Sequence, residues 1–378
     1  MYQFTIIIPV FQQFNIFDLF ISSLLKSIEY STQIILIDDN SPQDVADKIK
    51  ELFLHSNNRV CIEFIHHEYN YGSSRCINEA LSMVKGEIVA IIDSDTIISE
   101  GWQSIIIDTL KDTKIGGIGA ILLYPQTNGV QCGGITYTYG TGRHFMLNAP
   151  LQNIYNHTYE VQASIFAFFV TTADVIRKTG ILDTDFYNGY EDIDYQMRIR
   201  KLGYKILIQP QLQFYHWERS NGLHREYNRR SNLGILWKKH GDFIKEDLWD
   251  FIFQQFSINQ LENAYIGVDL CASRRDAAAF WEYVSKVKKG LILQCINYSY
   301  FVEDSKAIWL LQIIHYDFFR TPEPILFLCD NFVQLLGNDY WLKMREKYSQ
   351  KDIIVDLYGN VIEFNTLKGH FWPGTKIR

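Results

Sequence analysis

Three features of the sequence predict an α/β fold built on a doubly wound, mainly parallel sheet. Short β-branched runs alternate with segments whose apolar residues recur at helical spacing, giving the order β-α-β-α-β-α-β between Phe4 and Asp93. Polar or acidic residues stand where the later strands end, the edge at which such sheets collect ligands. Hydrophobic residues make up 47% of the chain and charged residues 21%, enough apolar content for a packed core.

The first strand is Phe4 to Val10. It is followed from Phe17 by apolar residues at Phe20, Leu24 and Ile28, which share one helical face. Gln33 to Asp39 repeats the strand signal. Ser41-Pro42-Gln43-Asp44 then places a capping serine, a proline suited to the first helical position and a carboxylate three residues beyond the cap. Val60 to His66 and Glu87 to Asp93 are two further strands, with a helix expected over Ser73 to Lys85 between them. Parallel neighbours need crossover connections, and those crossovers cover both faces of the sheet. A dinucleotide-binding fold would show G-x-G-x-x-G after its first strand, but Pro9-Val10-Phe11-Gln12-Gln13-Phe14 occupies that turn, which excludes a dehydrogenase. Gly116-Gly117-Ile118-Gly119 lacks that spacing and is expected to form a tight turn.

At 378 residues the chain has room for two domains, and a composition change after His240-Gly241-Asp242 places the boundary between residues 1–241 and 242–378. The formal charge of −7 removes the general basic field that nucleic-acid binding draws on, so no nucleic-acid partner is expected. The six cysteines, Cys61, Cys76, Cys132, Cys271, Cys295 and Cys329, show no metal-ligand spacing and read as reduced thiols of a cytoplasmic protein. No apolar run reaches the roughly 18 residues of a membrane span, and Met1 to Phe11 has neither the basic start nor the cleavage site of a signal peptide.

Asp93-Ser94-Asp95 closes the most apolar strand, Ile88 to Ile92, and sets two carboxylates where that strand meets solvent. Hard cations such as Mg²⁺ and Mn²⁺ take oxygen ligands and keep positions open for substrate phosphates. Acids at strand ends also cap helices, so this pair alone does not define a metal site. Glu191-Asp192-Ile193-Asp194 opens a helix whose inner face carries Tyr190, Ile193 and Met197. Acids favour helix N-termini through the macrodipole, and Asp192 or Glu191 serves as a general base if that turn faces the metal site. Phe214-Tyr215-His216-Trp217 follows a strand-like run from Lys205 to Gln209, with Arg219, Ser220, Arg225, Arg229 and Arg230 close behind. His216 is either a third metal ligand or a packed core histidine, and the arginines suit phosphate or a solvated face.

Six ordered elements resemble family-2 glycosyltransferases of the GT-A fold: Ile7-Ile8-Pro9-Val10-Phe11, Ile37-Asp38-Asp39-Asn40-Ser41-Pro42, Asn70-Tyr71-Gly72-Ser73-Ser74-Arg75 with Asn78, Asp93-Ser94-Asp95, Glu191-Asp192, and His216. The resemblance covers about residues 1 to 240. It implies an inverting, metal-dependent transferase whose donor is a nucleoside-diphosphate sugar, a UDP-sugar by preference. Pro9, Val10 and Phe11 would line the base pocket, Asp38 or Asp39 would bind the nucleoside, Arg75 and Asn78 would lie near it, and Asp93 with Ser94 would meet the ribose or metal. Asp95 and His216, with Asp93, would hold Mn²⁺ or Mg²⁺, Asp192 would be the catalytic base, and Glu191 and Trp217 would face the acceptor. The loop Arg75-Cys76-Ile77-Asn78-Glu79-Ala80 departs from relatives, where a small residue and a glycine are frequent. Gly133 to Phe169, including Tyr137, Tyr139, Arg143, His144 and the apolar Ile165 to Val170, is expected to build the acceptor side.

Beyond residue 242 the expectation is a smaller mixed α/β or mostly helical domain. Strand-like runs occur at Leu291 to Ile296, Ile325 to Leu328 and Ile353 to Leu357, and the spacing of Phe251, Phe256 and Trp281 gives no motif. Acceptor binding and homo-oligomerisation are open roles for it. Arg274-Arg275 and Lys286-Val287-Lys288-Lys289 suit a membrane surface or a lipid-linked acceptor, although such runs are more often solvated helix ends; the expected location is the cytoplasm or the membrane's inner face. The leading function is hexosyl or N-acetylhexosaminyl transfer to a glycan or lipid-linked glycan acceptor in cell-surface polysaccharide or lipooligosaccharide synthesis. The alternatives are a non-catalytic glycan- or nucleotide-binding protein and a sugar-phosphate nucleotidyltransferase. The second of these lacks its glycine-rich phosphate loop.

Overall fold

The computed structural model describes residues 2–11, 14–53, 59–138, 140–217, 222–255, 265–268, 276, 279–280, 282–283, 286, 295–297, 324–333 and 351–363. The chain divides into two compact units: Met1–Ile135 with Ala149–Ile244, and Thr136–Asn148 with Lys245–Arg378.

The first unit begins with β1 (Tyr2–Val10), α1 (Phe14–Lys26), β2 (Thr32–Asp38), α2 (Gln43–Phe53), β3 (Val60–His66), α3 (Ser73–Ser82) and β4 (Gly86–Ile92). Apolar periodicity accounts for this series directly. Phe17, Phe20, Leu24 and Ile28 of the α1 region are all buried against the sheet, and every side chain of β2 is buried, as a strand covered on both faces requires. β1 pairs in parallel with both β2 and β4, and β2 pairs in parallel with β3.

The chain continues through β5 (Thr96–Ile97), α4 (Trp102–Thr109), β6 (Ile115–Leu123), β7 (Val130–Cys132), β8 (Ile135–Thr138), β9 (Thr141–His144), β10 (Tyr159–Val161), β11 (Phe168–Thr172), α5 (Ala173–Thr179), α6 (Glu191–Lys201), β12 (Lys205–His216) and α7 (Gly222–His240). The large sheet has the order β10-β12-β6-β11-β4-β1-β2-β3, with β5 on β12 and β7 on β6. β11 runs antiparallel to both β4 and β6, while β12 is parallel to β6. Consequently β1 to β4, β6 and β12 all end on the same edge, the GT-A arrangement.

Two sequence expectations are corrected here. Gly116, Gly117 and Gly119 lie in the fully buried β6 and form no turn. The glycines are needed for close packing: a Cβ on Gly117 would come within 2.5 Å of the Phe169 ring, and one on Gly119 within 2.7 Å of Ser164. The apolar run Ile165 to Val170 is no acceptor surface, because Phe168, Phe169 and Val170 are fully buried in the central β11. The strand proposed for Lys205 to Gln209 extends to His216, with a register shift between Gln209 and Gln213 beside Pro210.

The second unit is mixed α/β among the described residues. Its helix α8 (Leu248–Gln254) is accompanied by β13 (Tyr265–Val268), β14 (Cys295–Asn297), β15 (Ile325–Cys329), β16 (Ile353–Asp356) and β17 (Val361–Glu363), in the sheet order β14-β13-β15-β16-β17. All pairings are parallel except β16 with β17. Leu248, Trp249 and Ile252 of α8 pack with Phe280, Leu326, Leu328, Val355 and Leu357 in its core. The segment with Tyr137, Arg143 and His144 clusters in this unit, where Tyr137 is buried and Arg143 pairs with Asp276 at 3.3 Å. Tyr139, Phe256, Cys271, Arg274, Arg275, Trp281, Val287, Lys288, Lys289 and residues 291–294 lie outside the described residues. Cys61, Cys76, Cys132 and Cys329 are free thiols, and among the described residues no helix is long and apolar enough to cross a membrane.

Candidate active site

Backbone pairing brings Asp93, Asp95 and His216 together as a candidate metal-binding group. Asp93 follows β4, Thr96 N–H closes the turn onto the Asp93 carbonyl at 3.2 Å, and the chain enters β5 immediately. β5 pairs antiparallel with the end of β12, setting Thr96 opposite His216, and Trp217 N–H donates to the Asp95 carbonyl at 3.1 Å. Ala167, just before β11, holds the same turn by accepting from Asp93 N–H at 3.3 Å and from Thr96 Oγ1 at 3.1 Å. His216 Nε2 therefore lies 3.2 Å from Asp95 Oδ1 and 4.0 Å from Asp93 Oδ2.

The donor set fits a divalent cation. One ligand atom from each of Asp93, Asp95 and His216 lies within 4.8 Å of the others. His216 Nδ1 is 2.7 Å from Gln131 Oε1, and the Gln131 amide nitrogen in turn faces the His216 carbonyl at 3.5 Å. Nδ1 is thus placed to donate to Gln131, and Nε2 is turned toward the two carboxylates, the arrangement in which a metal-binding histidine is oriented by a hydrogen bond from its other nitrogen. Gln131 is fully buried in β7 and carries no sequence signal that distinguishes it from a core glutamine.

Glu191, at the start of α6, lies within electrostatic reach of Asp93. Glu191 is buried, and burial, then the charge of Asp192, with a smaller contribution from Asp93, pushes its carboxyl up to about 7, although Gly189 N–H donates to it. Asp192 is less buried, and its Oδ1 accepts from Ile193 N–H at 2.8 Å. Gln196, one turn on, is completely buried and fixes α6 by paired bonds with the Ser164 backbone at 2.8 and 2.6 Å. Asp194, the third acid, is a structural ion: it binds Arg198 Nε at 2.9 Å and His240 Nε2 at 2.8 Å.

On the other side of the same edge, Val10 accepts from Asp39 N–H at 2.8 Å, and Phe11 is 43% exposed at the mouth. The two aspartates after β2 have different surroundings. Asp38 meets His66 Nδ1 at 2.7 Å and Ser41 N–H at 3.3 Å. Asp39 meets His67 Nδ1 at 2.9 Å, Tyr71 N–H at 2.9 Å and Gly72 N–H at 2.8 Å, so its carboxylate shapes the loop leading into α3. Glu79 lies 2.9 Å from the other nitrogen of His67; burial opposes protonation of that ring, and the two carboxylates prevail and raise its pKa. Arg75 is exposed and Ser94 is buried. Asn78 is engaged elsewhere: its amide donates to the Leu182 carbonyl at 2.9 Å and accepts from Leu182 N–H at 2.7 Å. A cavity of about 180 Å³ opens between this loop and the approach to α6, lined by Tyr71, Ser73, Arg75, Phe186, Tyr187 and Asn188 among others. Trp217 is partly buried and Arg229 and Arg230 are exposed on α7, whereas Arg219, Ser220 and the side chain of Arg225 fall outside the described residues.

An aspartate pair and a histidine thus meet at the carboxyl edge of the large sheet. Residues 5–166 match the family described as glycosyl transferase family 2. Glycosyltransferase GlyG of Streptococcus pneumoniae serotype 4 is 26% identical over 248 residues, 64% of this chain and 80% of that protein. The uncharacterized protein y4gI of Sinorhizobium fredii is 25% identical over 59% of this chain, which spans only 25% of its length. Among solved structures, the mannosyltransferase PcManGT from Pyrobaculum calidifontis, in complex with GDP-Man and Mn²⁺, superposes with a TM-score of 0.52 at 13% identity, covering 92% of this chain and 86% of that one. GalNAc-T7 with UDP, GalNAc and Mn²⁺ gives 0.51 at 16% identity, covering 63% of this chain and 50% of that one. At these identities the two structures speak to the fold.

Proposed function

We propose that this chain is an inverting, metal-dependent glycosyltransferase that moves a hexosyl or N-acetylhexosaminyl group from a nucleoside-diphosphate sugar, by preference a UDP-sugar, to a hydroxyl of a glycan or lipid-linked glycan acceptor. Cell-surface polysaccharide or lipooligosaccharide synthesis at the cytoplasmic side of a membrane is the setting this reading assigns. The observation that carries it is the meeting of Asp93, Asp95 and His216 within 4.8 Å on the edge where Asp93 also acts on Glu191. Mn²⁺ in the two structural neighbours supports a divalent ion at this group.

In this reading Asp93, Asp95 and His216 would hold the ion, Gln131 keeps the histidine lone pair aimed at it, and Pro9, Val10, Phe11, Asp38 and Arg75 border the nucleotide. Asp39 and Asn78 shape that pocket through the α3 loop. When bound, the cation supplies charge stabilisation to the departing diphosphate, a gain larger in the transition state than in the bound donor. Asp192, the more open of the two α6 acids, takes the proton from the acceptor hydroxyl as its oxygen attacks the anomeric carbon, so configuration inverts. Glu191, lifted to about 7, keeps its proton below that pH and there holds a second negative charge away from the base. Trp217 and Glu191 border the acceptor side.

The test is a screen of nucleotide sugars for thermal stabilisation and nucleotide release with Mn²⁺, Mg²⁺ or chelator. Stabilisation and release that require the cation are expected. Binding without turnover on any acceptor would favour the non-catalytic alternative, and pyrophosphate release from a nucleoside triphosphate the nucleotidyltransferase.

A further inference from the structure

The chain enters α6 through backbone that few side chains tolerate. Asn188, Gly189 and Tyr190 have successive φ values of 49°, 145° and 71°, and Tyr190, with its bulky side chain, caps the helix in the left-handed region. Such a run persists only where its surroundings hold it. Here the holder is Asn232 on α7, 3% exposed, whose Nδ2 donates to the Tyr187 carbonyl at 3.0 Å and to the Gly189 carbonyl at 2.8 Å. One amide thus grips the 187–188 and 189–190 peptides, which flank the 188–189 peptide that carries Gly189 N–H. Gly189 N–H, whose direction follows from those peptides, donates to Glu191 Oε2.

α7 does not depend on Asn232 for its own place. Lys239 near its end pairs with Asp183, and His240 binds the buried Asp194. Asn232 therefore projects from a helix fastened at other points, and its amide serves the approach to α6.

We propose that Asn232 is a positioning residue for the α6 acids: by gripping the carbonyls of Tyr187 and Gly189 it aims Gly189 N–H at Glu191 and sets how Glu191 and Asp192 stand toward Asp93. The inference rests on the reading of that pair as the acids of the transfer reaction. The charged groups acting on Glu191 are Asp192 from its own helix and Asp93 from the β4–β5 turn, and neither is altered by a change at 232.

The experiment compares Asn232→Ala, Asn232→Ser and Asn232→Gln, none of which adds a charge, in the full chain with two readouts. Carbon-13 NMR of labelled glutamate carboxyls follows the Glu191 titration and needs no activity; kinetics with Mn²⁺ and the donor found by the screen give kcat and KM. The Ala and Ser variants lose the grip, so the Glu191 midpoint is expected to rise by roughly half to one pH unit as the hydrogen bond to its charged form loosens. In the same variants kcat falls ~10-fold or more with donor KM within about twofold, as misplacement of reacting groups predicts. Asn232→Gln, which keeps a donor, recovers part of both. A folded Asn232→Ala protein with the wild-type Glu191 midpoint overturns the inference, as does a shifted midpoint with unchanged kcat. Should that variant not fold, Asn232→Ser provides the same comparison, and a wild-type midpoint there is equally fatal. Absence of turnover by the wild-type protein would sink the transferase reading, while the NMR midpoint would still decide whether Asn232 governs Glu191.

Discussion

Replacing Glu191 by glutamine removes a carboxyl group that the fold makes reluctant to ionise. Burial first, and then the charge of Asp192, pushes it from an ordinary 4.5 up to about 7. Below pH 4.5 the folded and unfolded chains both keep the proton, and the group has no effect on stability. Between 4.5 and 7 the unfolded chain releases the proton first, so the folded state holds more protons and loses stability as pH rises; above 7 the loss is complete. A difference of roughly 2.5 pH units at about 1.4 kcal/mol each amounts to about 3 kcal/mol. Glutamine keeps an oxygen for Gly189 N–H and does not titrate. Urea unfolding of both proteins at pH 5 and pH 8.5 should therefore show Glu191→Gln gaining about 2–3 kcal/mol over wild type as pH increases between those values. Parallel stability curves for the two proteins would refute the argument that this carboxyl is held out of its ordinary range.

Asp192→Asn is expected to keep donor binding and lose at least ~10²-fold in turnover, the lower end for a general base, and near-normal transfer would remove Asp192 from that role. Gln131→Leu takes away the acceptor for His216 Nδ1, so the Mn²⁺ concentration giving half-maximal thermal stabilisation should increase by roughly 10- to 100-fold; an unchanged titration would show that the histidine needs no such partner. Asp39→Ala strands His67, Tyr71 N–H and Gly72 N–H together. It should cost about 3 kcal/mol in unfolding experiments, and a loss below about 1 kcal/mol would show that the α3 loop holds without it.

The first half of the large sheet could be read from sequence because its signals are local. β1 to β4 are short runs rich in β-branched and apolar residues, α1 shows one clear apolar face, and Asp93 and Asp95 stand at the end of the strand that predicted them. Signals that depend on a distant neighbour were not legible. The β6 glycines resemble turn residues until the Phe169 ring and Ser164 are seen beside them. β11 looks like any apolar run, and nothing local says that it enters the sheet reversed. In the site, His216 could be picked out as a chemical type, but its tautomer depends on Gln131, and its nearness to Asp95 depends on the β5–β12 pairing. Asn78 looked like a ligand-facing amide, whereas its hydrogen bonds go to Leu182.

That β5–β12 pairing works as a clasp made of main chain. Since peptide groups of Thr96, Ile97, Tyr215 and Trp217 close it, the spacing of positions 93, 95 and 216 is fixed before any side chain there is chosen. On the metal-holding role proposed above, the side chains at these three positions are the variable part and the main-chain clasp the constant one. The preference among ions would then be a property that evolution or an engineer can tune without rebuilding the scaffold.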